Sequence, residues 1–286
     1  MRETLKRRTL MVPGVFNGIS ALLAERYNFD ALYLSGSGVA GVMGLPDLSL
    51  TTLSEVVSET AKITLVSSLP LIVDADTGFG EYLNVERTVR EIERAGASAV
   101  HIEDQIIPKK CGHLDGKRLV SPDEMVQKIS SAVKSRKNRD FMIIARTDAR
   151  AVEGMDGAIE RGRLYLKAGA DAIFPEALER EDEFKEYYLK VGGILLANMT
   201  EYGKSPLLSV NELSEMGYKI VIFPLTAFRG ALRAMDEVYS ILSRSGTQRE
   251  ILQKIMSRKE FYDLINYSAY EEEDKNIASK SNMLLQ

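Results

Sequence analysis

Reactive side chains are scarce in this 286-residue chain, which has one cysteine and two histidines. A lone cysteine excludes an internal disulfide and fits a reducing compartment. No apolar run reaches the ~18 residues that a membrane-spanning helix needs. After Lys6, Arg7 and Arg8 the first apolar residues meet Pro13 and Gly14, too early for a signal-peptide core. Nor is positive charge in excess: 37 Lys and Arg face 41 Asp and Glu, a net charge of −4, which leaves no basic face for nucleic acid. With 45% hydrophobic and 27% charged residues the composition is that of a soluble globular protein, here expected to be cytoplasmic, with a substantial core and no membrane partner.

The rare residues are gathered together. The stretch Ser98–His113, SAVHIEDQIIPKKCGH, holds Cys111, His101 and His113. An apolar run ends there in Glu103 and Asp104 and continues through a proline into Lys109, Lys110 and Cys111.

Short apolar runs near Leu10–Val12, Ala31–Leu34, Leu71–Val73, Ala99–Ile102, Phe141–Ala145, Ala172–Phe174, Ile194–Ala197 and Ile220–Phe223 predict about eight strands. They are too apolar on both faces for a half-exposed antiparallel sheet. Helical stretches separate them, including Thr52–Ser67, Asn84–Ala95, Pro122–Arg136, Asp156–Ala168 and Glu181–Lys190. Ser121 before Pro122 reads as an N-cap, with Glu124 at the capping-box position. The segments AGASAVHIED and AGADAIFPEA repeat one plan: a glycine stop after a helix, then a buried strand ending in an acid. Such βα units, with no linker between them, predict a (β/α)₈ barrel of the TIM type as a single domain over 1–286, with 245–286 a C-terminal helical extension. An open doubly wound sheet would call for a G-x-G-x-x-G turn, which Gly36, Gly38 and Gly41 do not make.

Active sites of barrels sit at the C-terminal strand ends. Here those ends carry Ser35, Asp74 with Asp76, Glu103, Arg146, Glu176 and Asn198, with Arg229 a little further on. Asp74 and Asp76 are close enough to repel, and a Mg²⁺ ion, which uses one or two carboxylates and keeps water ligands, would relieve that; Glu103 and Asp47 would complete the set through water. The alternative is that the two acids cap a helix or pair with lysines. Lys109, Lys110 and His113 surround Cys111 with positive charge, which would lower the thiol pKa and fit it to act as acid, base or nucleophile; the alternative is a buried structural cysteine. The histidine and cysteine spacing does not make a zinc site. His101, inside an apolar strand, reads as a hydrogen-bonded barrel residue. Arg146 offers a fork for carboxylates, Asn198 and Thr200 neutral donors, and Arg229 a second guanidinium, together a pocket for a small di- or tricarboxylate.

The segments YLSGSGVAG, GLPDL, VDADTGFG, HIEDQ, KKCGH, ARTDA, FPEA, ANMTE and PLTAFR, in this order, resemble the isocitrate lyase / phosphoenolpyruvate mutase superfamily, and the likeness runs from Pro13 to about Tyr270. The short chain and the late SRKEFYDLINY segment look most like its 2-methylisocitrate lyases. The resemblance implies a barrel, a homotetramer with a C-terminal helix exchanged between neighbours, and Mg²⁺ (or Mn²⁺) on Asp74 and Asp76, with Asp47 and Glu103 bound through water. It also implies a substrate site of Ser35, Gly36, Ser37, Cys111, Gly112, Arg146, Glu176, Asn198, Thr200, Arg229 and Arg258, with Phe174, Ile222 and Pro224 as a methyl-accepting wall. Ser37 stands where near relatives have glycine, and LDGKRLV after His113 is a form also seen in phosphonate-pathway relatives.

The implied reaction is retro-aldol cleavage of 2-methylisocitrate to pyruvate and succinate, a step of propionate breakdown. In it Cys111 is the proton donor, Tyr33 the base candidate, Arg146 a stabiliser of charge, and Glu103 and His113, beside Lys109, set the cysteine's protonation. The loop Ile106–Lys117 would be a lid over substrate. Isocitrate, oxaloacetate and phosphonopyruvate are the alternative substrates within the superfamily, and a catalytically silent binding barrel is the alternative outside it. The tail from Glu271, ending in MLLQ, would pack on a neighbour or fray.

Overall fold

In the computed structural model, which describes residues 1–284, the apolar runs become eight parallel strands: β1 (Leu10–Val15), β2 (Leu32–Leu34), β3 (Leu71–Asp74), β4 (Ala99–Glu103), β5 (Met142–Thr147), β6 (Ala172–Pro175), β7 (Leu196–Asn198) and β8 (Ile220–Phe223). Their hydrogen-bonded order is β6-β5-β4-β3-β2-β1-β8-β7. A parallel bridge between Ile173 and Leu195 brings β6 against the approach to β7, so the ring nearly closes into the expected (β/α)₈ barrel.

Alternation along the strands explains why both faces are apolar. Leu10, Val12, Tyr33, Ile72, Ile144, Phe174, Ile220 and Ile222 turn into the barrel interior. Their neighbours Leu34, Val73, Val100, Ile143, Ile173 and Val221 turn outward and pack in the layer beneath the helices. The long helices fall at Leu53–Val66, Tyr82–Arg94, Pro122–Ser135, Gly154–Lys167 and Glu181–Val191, within two residues of the expected ends. Ser121 Oγ accepts from the Glu124 amide at 3.1 Å, as the cap reading requires. The box is not closed, however, because the Glu124 carboxylate turns towards Lys128. Gly96 and Gly169, the two repeated stops, have φ of +95° and +103°.

The short helix Arg2–Arg7 was not expected. Its Leu5 is 4% exposed and joins the interior cluster. Arg2 pairs with Asp171 at 2.8 Å, just before β6, and donates to the Asp140 carbonyl ahead of β5. The helix therefore plugs the barrel at the N-terminal strand ends, leaving the opposite end for chemistry.

The chain divides into two compact units, Met1–Arg229 and Gly230–Gln286. The first holds the whole barrel. The second is helical, with Arg258–Leu264 and Tyr267–Leu284 as its last two helices, a Lys254–Glu237 ion pair at 2.7 Å and Tyr262 stacked on Tyr267. The final two residues of MLLQ lie outside the described residues. Among the described residues no helix is long and apolar enough to cross a membrane.

Leu5→Ala would leave a void in the plug. It is expected to destabilise the barrel by about 2–4 kcal/mol, read as a lower urea midpoint with an unchanged slope.

Candidate active site

The two aspartates after β3 are fixed differently. Asp74 is tied by backbone amides on both oxygens: Oδ1 accepts from Asp76 N and Oδ2 from Gly36 N, each at 3.0 Å. Asp76 sits in the left-handed region at φ +46°, unusual for a residue with a side chain. Its Oδ1 lies 3.0 Å from Lys109 Nζ, which also pairs with Asp47. Burial alone would raise both acids. His101, Lys109, Arg146 and the Gly36 amide hold Asp74 down at about 2. Asp76 rises to about 6, because burial and the repulsion of Asp74 and Asp47 outweigh Lys109. Burial also pushes Glu103 well up, against the pull of Arg146 and Lys109. A cavity of about 370 Å³ opens beside Asp76, lined by Ser49, Thr51, Thr77, Arg87 and Ile107 among others.

The donor set fits a hard divalent cation. Apart from the Lys109 ammonium beside Asp76 Oδ1 and the Arg146 guanidinium beside one Glu103 oxygen, Asp76 Oδ1 and both Glu103 oxygens are buried without a hydrogen-bond partner, and such carboxylate oxygens suit Mg²⁺ with water completing the shell. Among the described residues no three His, Cys, Asp or Glu side chains converge as direct ligands, so the set is two carboxylates with others near by. Lys109 meets part of the demand for positive charge, which is the lysine-pairing alternative made visible.

Arg146, at the end of β5, is the centre of the mouth. Its guanidinium grips Asp148 through Nε at 2.9 Å and Nη2 at 3.2 Å, and lies 3.3 Å from both Glu103 and Glu176. It also stands 5.1 Å from the Phe174 ring centroid. Burial would raise Glu176, but Arg146 and His113 hold it well below the usual carboxylate range. Asn198 Nδ2 reaches both Glu176 oxygens at 3.3 Å, while its own Oδ1 is buried without a partner.

Tyr33 and His101 are stacked inside the barrel, with the hydroxyl 2.8 Å from His101 Nε2. Burial lowers His101 to about 4, against the pull of Asp74. Burial and then Asp74 push the Tyr33 phenol well up. His101 is hydrogen-bonded within the barrel as expected, but it lies at the site's edge, 3.5 Å from Asp74.

The loop Ile106–Lys117 is docked over the mouth. Its base is an antiparallel bridge between Gln105 and Leu119, and the Gln105 amide brackets Lys110 through two bonds of 2.9 and 3.0 Å. His113 Nδ1 accepts from the Lys204 amide and its Nε2 lies 3.1 Å from Glu176. Gly112 comes so close to Arg146 Nη2 and Glu176 Cγ that a Cβ would collide with both. The thiol environment differs from the one expected. Lys109 has swung to Asp47 and Asp76 and His113 to Glu176, so neither supports a thiolate. Burial raises the Cys111 pKa, the His113 backbone amide pulls against it, and the Glu176 carboxylate adds to the rise. Glu176 and Asp47 are the acids that bear on the thiol.

Among the remaining expected residues, Ser35 is buried at a helix N-cap without making a capping bond, and Ser37 is half-buried in the same short helix. Thr200 and Pro224 are buried, Pro224 just past β8, and Phe174 and Ile222 face the interior. Arg229 does not join these carboxylates but pairs with Glu201, through its carbonyl at 2.7 Å and its carboxylate at 2.9 Å. Arg258 opens a helix of the second unit. Asp148 and Lys117 were missed, although Asp148 stands two residues after Arg146 in ARTDA.

The family model described as phosphoenolpyruvate phosphomutase matches residues 1–242. The chain belongs to the phosphoenolpyruvate phosphomutase family. It is 56% identical over 286 residues to a 2-methylisocitrate lyase of Aeropyrum pernix, covering 100% of this chain and 92% of that one. Of solved family structures, 2,3-dimethylmalate lyase superposes with a TM-score of 0.91 at 37% identity, covering 96% of this chain and 93% of the other. A phosphonopyruvate hydrolase in complex with oxalate and Mg²⁺ gives 0.87 at 32%, covering 95% of each. The resemblance read from the motifs of this phosphomutase-family chain is thereby borne out.

A raised thiol pKa means that Cys111 is protonated at pH 7 and becomes nucleophilic only in alkali. Alkylation of this sole cysteine by iodoacetamide should be slow at neutral pH, with a midpoint above 9.0, the ordinary thiol value. A midpoint below pH ~8 would restore the electropositive environment.

Proposed function

We propose that this protein is a metal-dependent carbon–carbon lyase that cleaves 2-methylisocitrate to pyruvate and succinate. The observation that carries the reading is the docked loop: it presents a protonated cysteine beside a buried Arg146–Glu176 centre able to recognise carboxylates. The 2-methylisocitrate lyase named above, alike over the full chain, supports the substrate.

Asp74 and Asp76 would hold Mg²⁺, with Mn²⁺ as the alternative ion, and Asp47 and Glu103 would bind through water. A divalent cation there lowers the pKa of the substrate hydroxyl and polarises the carbonyl that replaces it. Tyr33, beside Asp74 and 2.8 Å from His101 Nε2, would be the base on that side, reacting as its phenolate. As the hydroxyl proton passes to the Tyr33 phenolate oxygen, the bond between the hydroxyl-bearing carbon and its carboxylated neighbour breaks, and its electron pair passes to the succinate half. Arg146 and the Asn198 amide stabilise the charge that spreads into that half's carboxylate. The Cys111 S–H then protonates the carbon, giving succinate and a thiolate that must be reprotonated before the next turnover. Ser35, Gly36, Ser37, Gly112 and Thr200 would position the carboxylates, and Phe174, Ile222 and Pro224 would face the methyl group. Arg229 could reach substrate only by leaving Glu201, while Glu176 and His113 keep the loop in register. The exposed Leu232, Met235, Tyr239 and Leu242 of the second unit support assembly as a homotetramer, and a cytoplasmic place in propionate breakdown fits the chemistry.

Purified protein with Mg²⁺ should convert 2-methylisocitrate to pyruvate and succinate in equal amounts, faster than it consumes isocitrate, oxaloacetate or phosphonopyruvate. Chelation should abolish the activity and Mg²⁺ restore it. Cys111→Ser should lower kcat by about 10²–10⁴-fold, the usual worth of a general acid. Faster turnover of another substrate on the panel, or near-normal turnover by the serine variant, would contradict the reading.

A further inference from the structure

Lys117 closes the loop's sequence yet is buried, its side chain only 1% exposed. Its Nζ lies 2.9 Å from Asp148 Oδ1 and also donates to the carbonyl of Gly112, the residue after Cys111. An ammonium taken out of water costs several kcal/mol unless a partner compensates for it, and here Asp148 is that partner. Asp148 is at the same time the doubly bonded partner of Arg146. Its position is fixed from below, since its backbone amide donates to Asp104 at 2.9 Å. One carboxylate thus joins a cation of the barrel wall to a cation of the loop.

The charge balance shows what this junction does. Arg146 alone faces Glu103, Asp148 and Glu176. When the loop docks, Lys117 adds a second permanent positive charge to the cluster. Of the other lysines of the loop, Lys109 is bound to Asp47 and Asp76 and draws on Glu103 from there, and Lys110 reaches the Asp115 carbonyl near the surface, so neither pairs with Asp148 or Glu176.

We propose that Lys117 is a positioning residue for the lyase reaction. Through the Gly112 carbonyl it sets the depth at which Cys111 is presented. Through Asp148 it takes up part of the charge that would otherwise draw Arg146 away from substrate. Delivery of the proton donor and completion of the carboxylate-binding centre are then one event. The second half of this assignment rests on the function proposed above; the first half, loop docking, does not.

Because Cys111 is the only cysteine, its reaction with 5,5′-dithiobis(2-nitrobenzoate) reports docking without any substrate. Lys117→Met should react at least about tenfold faster than the parent, as expected for a loop that has lost a buried ion pair, with unchanged far-UV circular dichroism. Lys117→Arg, which keeps the charge, should stay within about threefold of the parent. Under turnover, Lys117→Met should lose kcat more than it raises KM, and Lys117→Arg should recover most of the loss. If Lys117→Met does not fold, Lys117→Met/Asp148→Asn, which leaves no unpaired carboxylate, takes its place with the same expected thiol acceleration. An unchanged thiol rate in whichever variant folds would overturn the proposal. A faster thiol in a protein that does not cleave 2-methylisocitrate would uphold the docking role while removing the functional reading.

Discussion

One guanidinium, that of Arg146, is surrounded by three buried carboxylates, and most of the mouth follows from that imbalance. A carboxylate withdrawn from water is costly unless it is paired, hydrogen-bonded or protonated. Each of the three is accommodated differently. Asp148 takes the doubly bonded face of Arg146 and the Lys117 ammonium. Glu176 gathers Asn198 and His113. Glu103, for which burial outweighs Arg146 and Lys109, is pushed towards its neutral form. The partners that complete this balance, Lys117 and His113, come from the loop that also carries Cys111, so electrostatics ties the cysteine's placement to the barrel wall.

The barrel makes such a cluster affordable. Parallel strands with both faces apolar leave side-chain chemistry nowhere to go except the strand ends. The N-terminal helix occupies one end with Leu5 and an Arg2–Asp171 pair. At the other end the strands deliver Asp74, Glu103, Arg146 and Asn198 from four separate positions in the chain. The rigid ring fixes their spacing, while the Cys111 loop, closed at its base by the Gln105–Leu119 bridge, lies across the mouth they form.

Much of this was legible in the sequence because it is written in local patterns. Eight apolar runs of strand length and the two AGA-type repeats identify the barrel, and polar residues at most of the strand ends identify the mouth. What failed were inferences from closeness along the chain to closeness in space. Lys109 is two residues from Cys111, yet its ammonium lies against Asp47, 62 residues away, and Asp76. With that cation gone and Glu176 near, the thiol pKa moves up instead of down. The plug helix has six residues, too few for a periodic signal. Lys117 and Asp148 become meaningful only once the loop is folded back, since their pairing spans 31 residues.

In the proposed reaction Arg146 works through its fork as well as its charge, holding Asp148 with two nitrogens while facing substrate. Arg146→Lys keeps the charge and removes the fork. The decisive measurement is kcat/KM of that variant for 2-methylisocitrate, with circular dichroism to confirm the barrel. A loss of about 10³-fold or more is predicted. A folded lysine variant within tenfold of the parent would contradict the claim.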